Sequence, residues 1–216
     1  FISSYENVLG FEPSKNVASV SKKQGINTLV NFFNNETSKL ILKNYGKADL
    51  IYAANVICHI PNIKNLFKNI NKILSYNGIF VFEDPYLGEV IKKTSYDQIY
   101  DEHVFLFSLH SVGYLCTLFD LEIIDVKPQE THGGSMRYYI AHSDKYKKSV
   151  SVKKFISYEK KIGINYSKNF NKFIININKS KSDLIKLLKK LKKQGKNIAG
   201  YAATSKSTTI LNFCNI

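Results

Sequence analysis

The sequence has no unbroken apolar stretch of the roughly 18 residues a membrane-spanning helix requires, so no such helix is expected within these 216 residues. Phe1-Ile2-Ser3-Ser4-Tyr5-Glu6 lacks both an initiating Met and the basic-then-apolar layout of a signal peptide. Cysteine is scarce: Cys58, Cys116 and Cys214 form no CxxC pair and supply no zinc-site spacing. They are expected to be reduced, mostly buried thiols of a cytosolic protein. Arginine is almost absent, with Arg137 standing against 30 lysines. Forked recognition of phosphates and bases leans on arginine, so this composition argues against a nucleic-acid surface.

The net charge of +14 is nevertheless large. It is confined to one segment: residues 145–196 hold 17 lysines against Glu159 and Asp183, and the remainder carries 14 basic and 15 acidic residues. A solvated lysine face explains this better than nucleic-acid binding. The hydrophobic fraction of 44% is ample for a core.

In order, Val8–Glu12 reads as a short strand ending in an acid, and Ser14 caps a helix through Lys23 that Gly25 stops. Asn27–Val30 is a second strand, a helix runs from Glu36 to Asn44, and Ala48–Asn55 is a third strand. Pro61 opens a helix with Ile63, Leu66, Phe67, Ile70 and Leu74 at helical spacing. Asn77-Gly78 reads as a turn into the strand Ile79–Glu83. A helix over Ser108–Phe119 and strands over Leu121–Val126 and Ser135–His142 follow, the last two as an antiparallel hairpin on one edge. Strands alternating with helices predict a parallel α/β sheet. Beyond Lys145 the apolar stripe Phe170, Phe173, Ile174, Ile177, Leu184, Leu187, Leu188 and Leu191 predicts one or two long amphipathic helices. Asn197–Ala202 reads as a new strand, Thr204–Thr209 as a turn, and Ile210 as the start of a helix. The resulting division is 1–144, 145–196 and 197–216.

Ligands of open parallel sheets bind at the carboxyl ends of the strands. Glu12 at such an end can accept both hydroxyls of a ribose; helix capping is the alternative. Asn31 and Phe32 can face an adenine, although a core role for Phe32 is the alternative. Ala53, Ala54 and Asn55 are small enough for close approach. The glycine-rich loop of such folds is missing before the strand of Glu12, so the sequence is expected to be truncated at both ends.

Tyr100-Asp101-Glu102-His103 sets a phenol, carboxylates and an imidazole between a turn and the apolar run Val104–Phe107. Groups that move protons among apolar neighbours suit general acid/base chemistry; a surface loop entering a core strand is the alternative. His59, Glu102, His103 and His132 lack the helical ligand spacing of metalloenzymes, so no metal site is expected.

Six ordered motifs carry a resemblance: Gly10-Phe11-Glu12-Pro13-Ser14, Tyr52–Pro61, Phe80–Gly88, Ile99–His103, His132–Arg137 and Gly200–Lys206. In them the chain resembles the S-adenosylmethionine-dependent sugar C-methyltransferases, which act on nucleotide-linked keto-deoxysugars. The resemblance implies a Rossmann-like class I methyltransferase sheet lacking its first strand and glycine-rich loop, then a helical connection and the start of a second, nucleotide-sugar-binding α/β domain. It implies S-adenosylmethionine as cofactor, held by Glu12, Pro13, Asn31, Phe32, Ala53, Ala54 and Asn55. Zinc would belong only to an N-terminal domain not included in these residues. The substrate would be a nucleotide-diphosphate sugar, contacted by Tyr86, His132, Ser135, Arg137 and Lys206. The family's Gly-Tyr-Gly-Ala-Pro-Ala-Lys run is here Gly200-Tyr201-Ala202-Ala203-Thr204-Ser205-Lys206, with fewer glycines.

The resemblance surrounds the sugar with Tyr100, Glu102, His103 and His59. Carbon methylation needs a base and a donor for the enolate oxygen. His103 is the expected base, Glu102 its orienter and Tyr100 the donor. His59 would contact the ketone or hydroxyls, or serve as a structural histidine before Pro61; His132 would bind substrate or stabilise the Gly133-Gly134 turn. An O- or N-methyltransferase on a similar fold is the runner-up, and it needs no such trio. A cytoplasmic monomer is expected, with no nucleic-acid or membrane partner. These 216 residues alone are expected to be inactive and to bind S-adenosylmethionine weakly, because the glycine-rich loop supplies backbone contacts to the cofactor. Calorimetric titration giving micromolar binding would reject this.

Overall fold

A computed structural model describes residues 8–201 and 204–216. A two-stranded parallel sheet pairs β1 (Leu9–Phe11) with β2 (Asn27–Leu29). The principal sheet has the order β3-β4-β6-β5, formed by Ala48–Ala54, Leu74–Pro85, Ser135–His142 and Leu121–Gln129. β3 and β4 are parallel, and β6 runs antiparallel to both its neighbours. The closing hairpin therefore lies at one edge, with β5 outermost. The helices are α1 (Lys15–Lys23), α2 (Asn35–Asn44), α3 (Ile63–Ile73), α4 (Leu87–Lys93), α5 (Leu109–Thr117), α6 (Val150–Ile162), α7 (Asn171–Lys193) and α8 (Ser205–Cys214). No helix among the described residues is long and apolar enough to cross a membrane.

Period-two alternation builds the core. Phe80 and Phe82 of β4 face inward, opposite Ile140 and Tyr138 of β6, and all four are fully buried. Phe82 stacks on Tyr138 with centroids 4.7 Å apart and meets Phe107 edge-on at 5.5 Å. Each such ring contributes about 1.5–3 kcal/mol by burial alone. The amphipathic α3 adds Leu66, Phe67, Ile70 and Ile73 to the same core. β3 pairs only with β4, and no described strand lies along its other edge. Leu50 and Tyr52 on it are 63% and 58% exposed.

Four local expectations change. Asn77-Gly78 makes no turn, because β4 runs through it. A Cβ on Gly78 would lie 2.9 Å from the Ala48 carbonyl oxygen, so glycine serves here for close approach of β4 to β3. Ser14 is the N-cap of α1 but its side chain makes no cap bond; its amide instead donates to Glu12 Oε1 at 2.7 Å. The strand expected over Asn197–Ala202 does not form in Asn197–Tyr201, and Ala202 and Ala203 lie outside the described residues. The last helix begins five residues early, at Ser205, because Thr204 and Ser207 form a capping box. This helix does not stand apart: Phe213 packs on Tyr96 at 5.5 Å and Cys214 is buried.

The lysine-rich segment divides into α6 and α7. Only Phe173 of α7 is buried, while Ile174 and Leu187 remain about half exposed. On α6, Glu159 is 3% exposed and its carboxylate takes three hydrogen bonds. Tyr86 Oη donates at 3.0 Å, and the amides of Leu109 and His110 donate at 2.7 and 2.9 Å. Those amides open α5, where unpaired N–H groups and the helix dipole favour an anion. Glu159→Ala leaves the buried donors of Tyr86, Leu109 and His110 without their acceptor, which costs about 1–3 kcal/mol, so it should lower unfolding stability by that order, with Glu159→Gln losing less. Urea denaturation of both variants measures it, and a loss below about 1 kcal/mol for alanine would contradict the assignment.

Candidate functional site

Two segments that are distant in sequence meet beyond the carboxyl ends of β3 and β4. A 3-10 turn at Ile57–His59 follows β3, and a second at Tyr96–Gln98 leads to Tyr100–His103. Backbone pairing aligns them: the Phe105 amide donates to the Cys58 carbonyl at 3.2 Å, and the Leu87 amide to the Phe107 carbonyl at 2.8 Å. His59 and His103 are brought to 5.1 Å between ring centroids. His59, Asp101, Glu102 and Val104 line an open depression of about 370 Å³.

Carbonyl partners fix both imidazole tautomers. His103 Nδ1 lies 2.8 Å from the Gln98 carbonyl, and His59 Nδ1 lies 2.5 Å from the Glu102 carbonyl. A carbonyl only accepts, so each neutral ring carries its proton on Nδ1 and a lone pair on Nε2. Tyr100 Oη, 2.9 Å from His103 Nε2, must then be the donor. Its ring lies 4.1 Å from the imidazole. Burial pulls the His103 pKa below its ordinary value, and the charges of His59, Lys206 and His132 add to this, against the Gln98 hydrogen bond. Burial, then Glu102 and Cys58, hold the Tyr100 phenol above its usual range. The pair at rest is a neutral base with a protonated phenol pointed at its lone pair.

Behind the imidazoles sits Cys58, fully buried. Its sulfur and a ring nitrogen of each of His59 and His103 lie within 4.8 Å of one another, the spacing of a possible metal ligand set. Burial, with Asp84 beside it, raises the pKa of the thiol strongly, which keeps it protonated. His103 Nε2 already receives the Tyr100 hydroxyl.

Several expected roles change. Glu102 does not orient His103: its side chain is exposed, and the Gln98 carbonyl does the orienting. Tyr86 is 1% exposed with its hydroxyl on Glu159, so it faces the core rather than a substrate. Arg137 directs Nε and Nη2 to Glu83 Oε2 at 3.0 and 2.8 Å, which occupies its fork. Ser135 is buried, and its hydroxyl donates to the Thr131 carbonyl at 3.1 Å. His132 adopts a left-handed conformation in the turn, where its carbonyl accepts from Gln98 Nε2, while the residue is exposed. Lys206 lies in the first turn of α8, near enough to act electrostatically on His103.

The nucleoside-edge residues lie at the carboxyl ends of their strands. Glu12 follows β1; Asn31 and Phe32 follow β2, with Phe32 73% exposed; Ala53 and Ala54 end β3. Asn55 turns the chain with φ 53°, a conformation asparagine tolerates better than most residues. Pro13 is exposed beside Glu12. A carboxylate and an uncovered aromatic face suit a ribose diol and an adenine. The residues that sequence reasoning missed are Gln98, Cys58 and Asp84. Gln98 and Cys58 act partly through backbone carbonyls, which leave no mark in a sequence.

Residues 3–126 match the family described as a methyltransferase domain, and residues 130–216 the family described as a C-methyltransferase C-terminal domain. Over 213 residues the chain is 30% identical to the C-methyltransferase NovU of Streptomyces niveus, covering 97% of this chain and 50% of that protein. The chain thus spans about half the length of this relative. Similar solved structures include a SAM-dependent methyltransferase from Anabaena variabilis, with TM-score 0.48, 17% identity, and coverage of 62% of this chain and 68% of that one. Another is the magnesium protoporphyrin IX methyltransferase of Synechocystis with bound SAH, with TM-score 0.47, 10% identity, and coverage of 63% and 64%.

A depressed His103 pKa means that the unfolded chain, with a value near 6.5, holds the proton more tightly than the folded one. Stability should therefore rise with pH across the window just below 6.5 and be lost as pH falls through it. Nitrogen-15 NMR of labelled histidine should show Nδ1 protonated at pH 7.5 and a His103 midpoint below 6.5. A midpoint above that value would contradict the burial and charge argument.

Proposed function

The chain belongs to the S-adenosylmethionine-dependent C-methyltransferase family, and we propose that its Tyr100–His103 pair prepares a carbon beside a ketone of a nucleotide-linked deoxysugar to accept the methyl group. The observation that carries this reading is the bond from Tyr100 Oη to His103 Nε2, with Nδ1 anchored on a carbonyl. His103 Nε2 takes the proton from the carbon. The electron pair of that C–H bond moves toward the ketone oxygen, and Tyr100 turns its hydroxyl to donate to the developing enolate oxygen. A neutral imidazole and a protonated phenol are the charge states this step requires. His59 lines the depression and, with Nδ1 on a carbonyl, can offer Nε2 to a substrate hydroxyl.

Glu12 would hold the ribose of S-adenosylmethionine, Phe32 and Asn31 its adenine, and Ala53 to Asn55 would leave room for it. When bound, that cofactor supplies the electrophilic methyl group. Lys206 places positive charge near His103, which suits a sugar diphosphate. The reading of the substrate as a nucleotide-linked deoxysugar is supported by the six motifs and by this charge. An O- or N-methyltransferase forms no enolate, so it would have no enolate oxygen for the Tyr100 phenol to hold.

Acid/base catalysis contributes about 10²–10⁴-fold. In the product of the full reading frame, His103→Asn should lower methylation by that order while calorimetric affinity for S-adenosylmethionine barely moves. Exchange of the target carbon's hydrogen with deuterated water should fall with it, and Tyr100→Phe should cost less. A wild-type rate in His103→Asn would end the proposal.

A further inference from the structure

The inner face of β4 reads Phe80, Phe82, Asp84, with all three residues fully buried. Strand alternation thus drives a carboxylate into the position where the aromatic ladder would continue. Across the sheet it faces Met136, with Tyr138 next on that strand. Neither oxygen of Asp84 meets a nitrogen or oxygen donor in hydrogen-bond geometry. The Cys58 thiol lies against it, and the amides of Ile57 and Cys58 and the His59 imidazole act on it. Tyr138 Oη, also buried and without a partner, feels the same carboxylate. Asp84 is therefore poorly solvated and sits behind the Cys58–His59–His103 group. A fold optimised only for stability would not keep an acid there.

We propose that Asp84 is a positioning residue for the imidazole pair: its buried carboxylate, set behind Cys58, balances the positive charge the pair gains on taking the substrate's proton. The proton stays on His103 Nε2 and none moves to Asp84, so the contribution is electrostatic. This rests on the reading of His103 as the base. The titratable groups facing Asp84 are Cys58 and His59 from the turn after β3 and Tyr138 from β6; His103 shares one cluster with that thiol and His59.

Burial pushes the Asp84 carboxyl up to about 6, partly opposed by Cys58, Ile57 and His59. A raised carboxyl pKa gives stability below the unfolded value, near 3.9, that is lost as pH rises through about 6. Two arms test the proposal. Asp84→Asn should raise the melting temperature at pH 8 by roughly 5 °C, with the gain shrinking toward pH 5, while methylation by the product of the full reading frame falls about tenfold or more. A residue with a purely structural role would lose stability together with rate. In the second arm, carbon-13 NMR follows the Asp84 carboxyl, and His59→Asn should move its midpoint upward. A lowered melting temperature at every pH, an unchanged rate in Asp84→Asn, or an unmoved midpoint in His59→Asn would each overturn the proposal. If the wild-type protein methylates no sugar, the proposed function falls, and the midpoint arm still decides whether Asp84 and His59 are coupled.

Discussion

The Glu159 carboxylate is the tie on which the arrangement around the site depends. It lies almost wholly inside the protein, yet Tyr86 and the first amides of α5 surround it with donors. Such a charge is tolerable only with every partner in place. It therefore fixes three elements at once: α6, the start of α5 and the chain just past β4. The segment carrying Tyr100 and His103 runs between the last two, from Tyr86 to Ser108, so both of its ends are held.

Within that frame, backbone carbonyls perform the task that a carboxylate performs in many histidine sites. An anionic partner would raise the basicity of the ring and pull a proton onto it. The Gln98 and Glu102 carbonyls orient the rings without adding full charge. The compensating negative charge is set further back, at Asp84, inside the core. Orientation and charge balance are supplied by different groups here, so each can be altered separately.

The sequence was most legible where periodicity or motif order carried the information. The stripe through Ile63, Leu66, Phe67 and Ile70 announced α3, and the alternation in Ile79–Glu83 announced the centre of β4. His59, Tyr100 and His103 stood out by residue type and do converge. What stayed hidden depended on partners far along the chain. Arg137 looked like a phosphate fork until Glu83, 54 residues away, occupied it. Tyr86 looked like a substrate contact until α6 delivered Glu159, 73 residues on. One signal was available: Glu159 is one of two acids in a lysine-rich run, and Asp84 extends an otherwise aromatic strand face. An acid out of keeping with its neighbours marks a specific environment more reliably than a plausible motif does.

The open edge of β3 carries a different implication. Among the described residues no strand pairs along it, and a bare edge bearing Leu50 and Tyr52 in the open is a template for another strand. The same strand runs through Asn55 directly into the turn that bears Cys58 and His59. Whatever pairs along that edge would stiffen the mounting of one imidazole, and an edge left bare would leave it more compliant. Pairing along that edge and the placement of His59 thus share one ribbon of backbone. Light scattering at rising protein concentration, read beside His59 line widths, would report the two together; line widths indifferent to association would separate them.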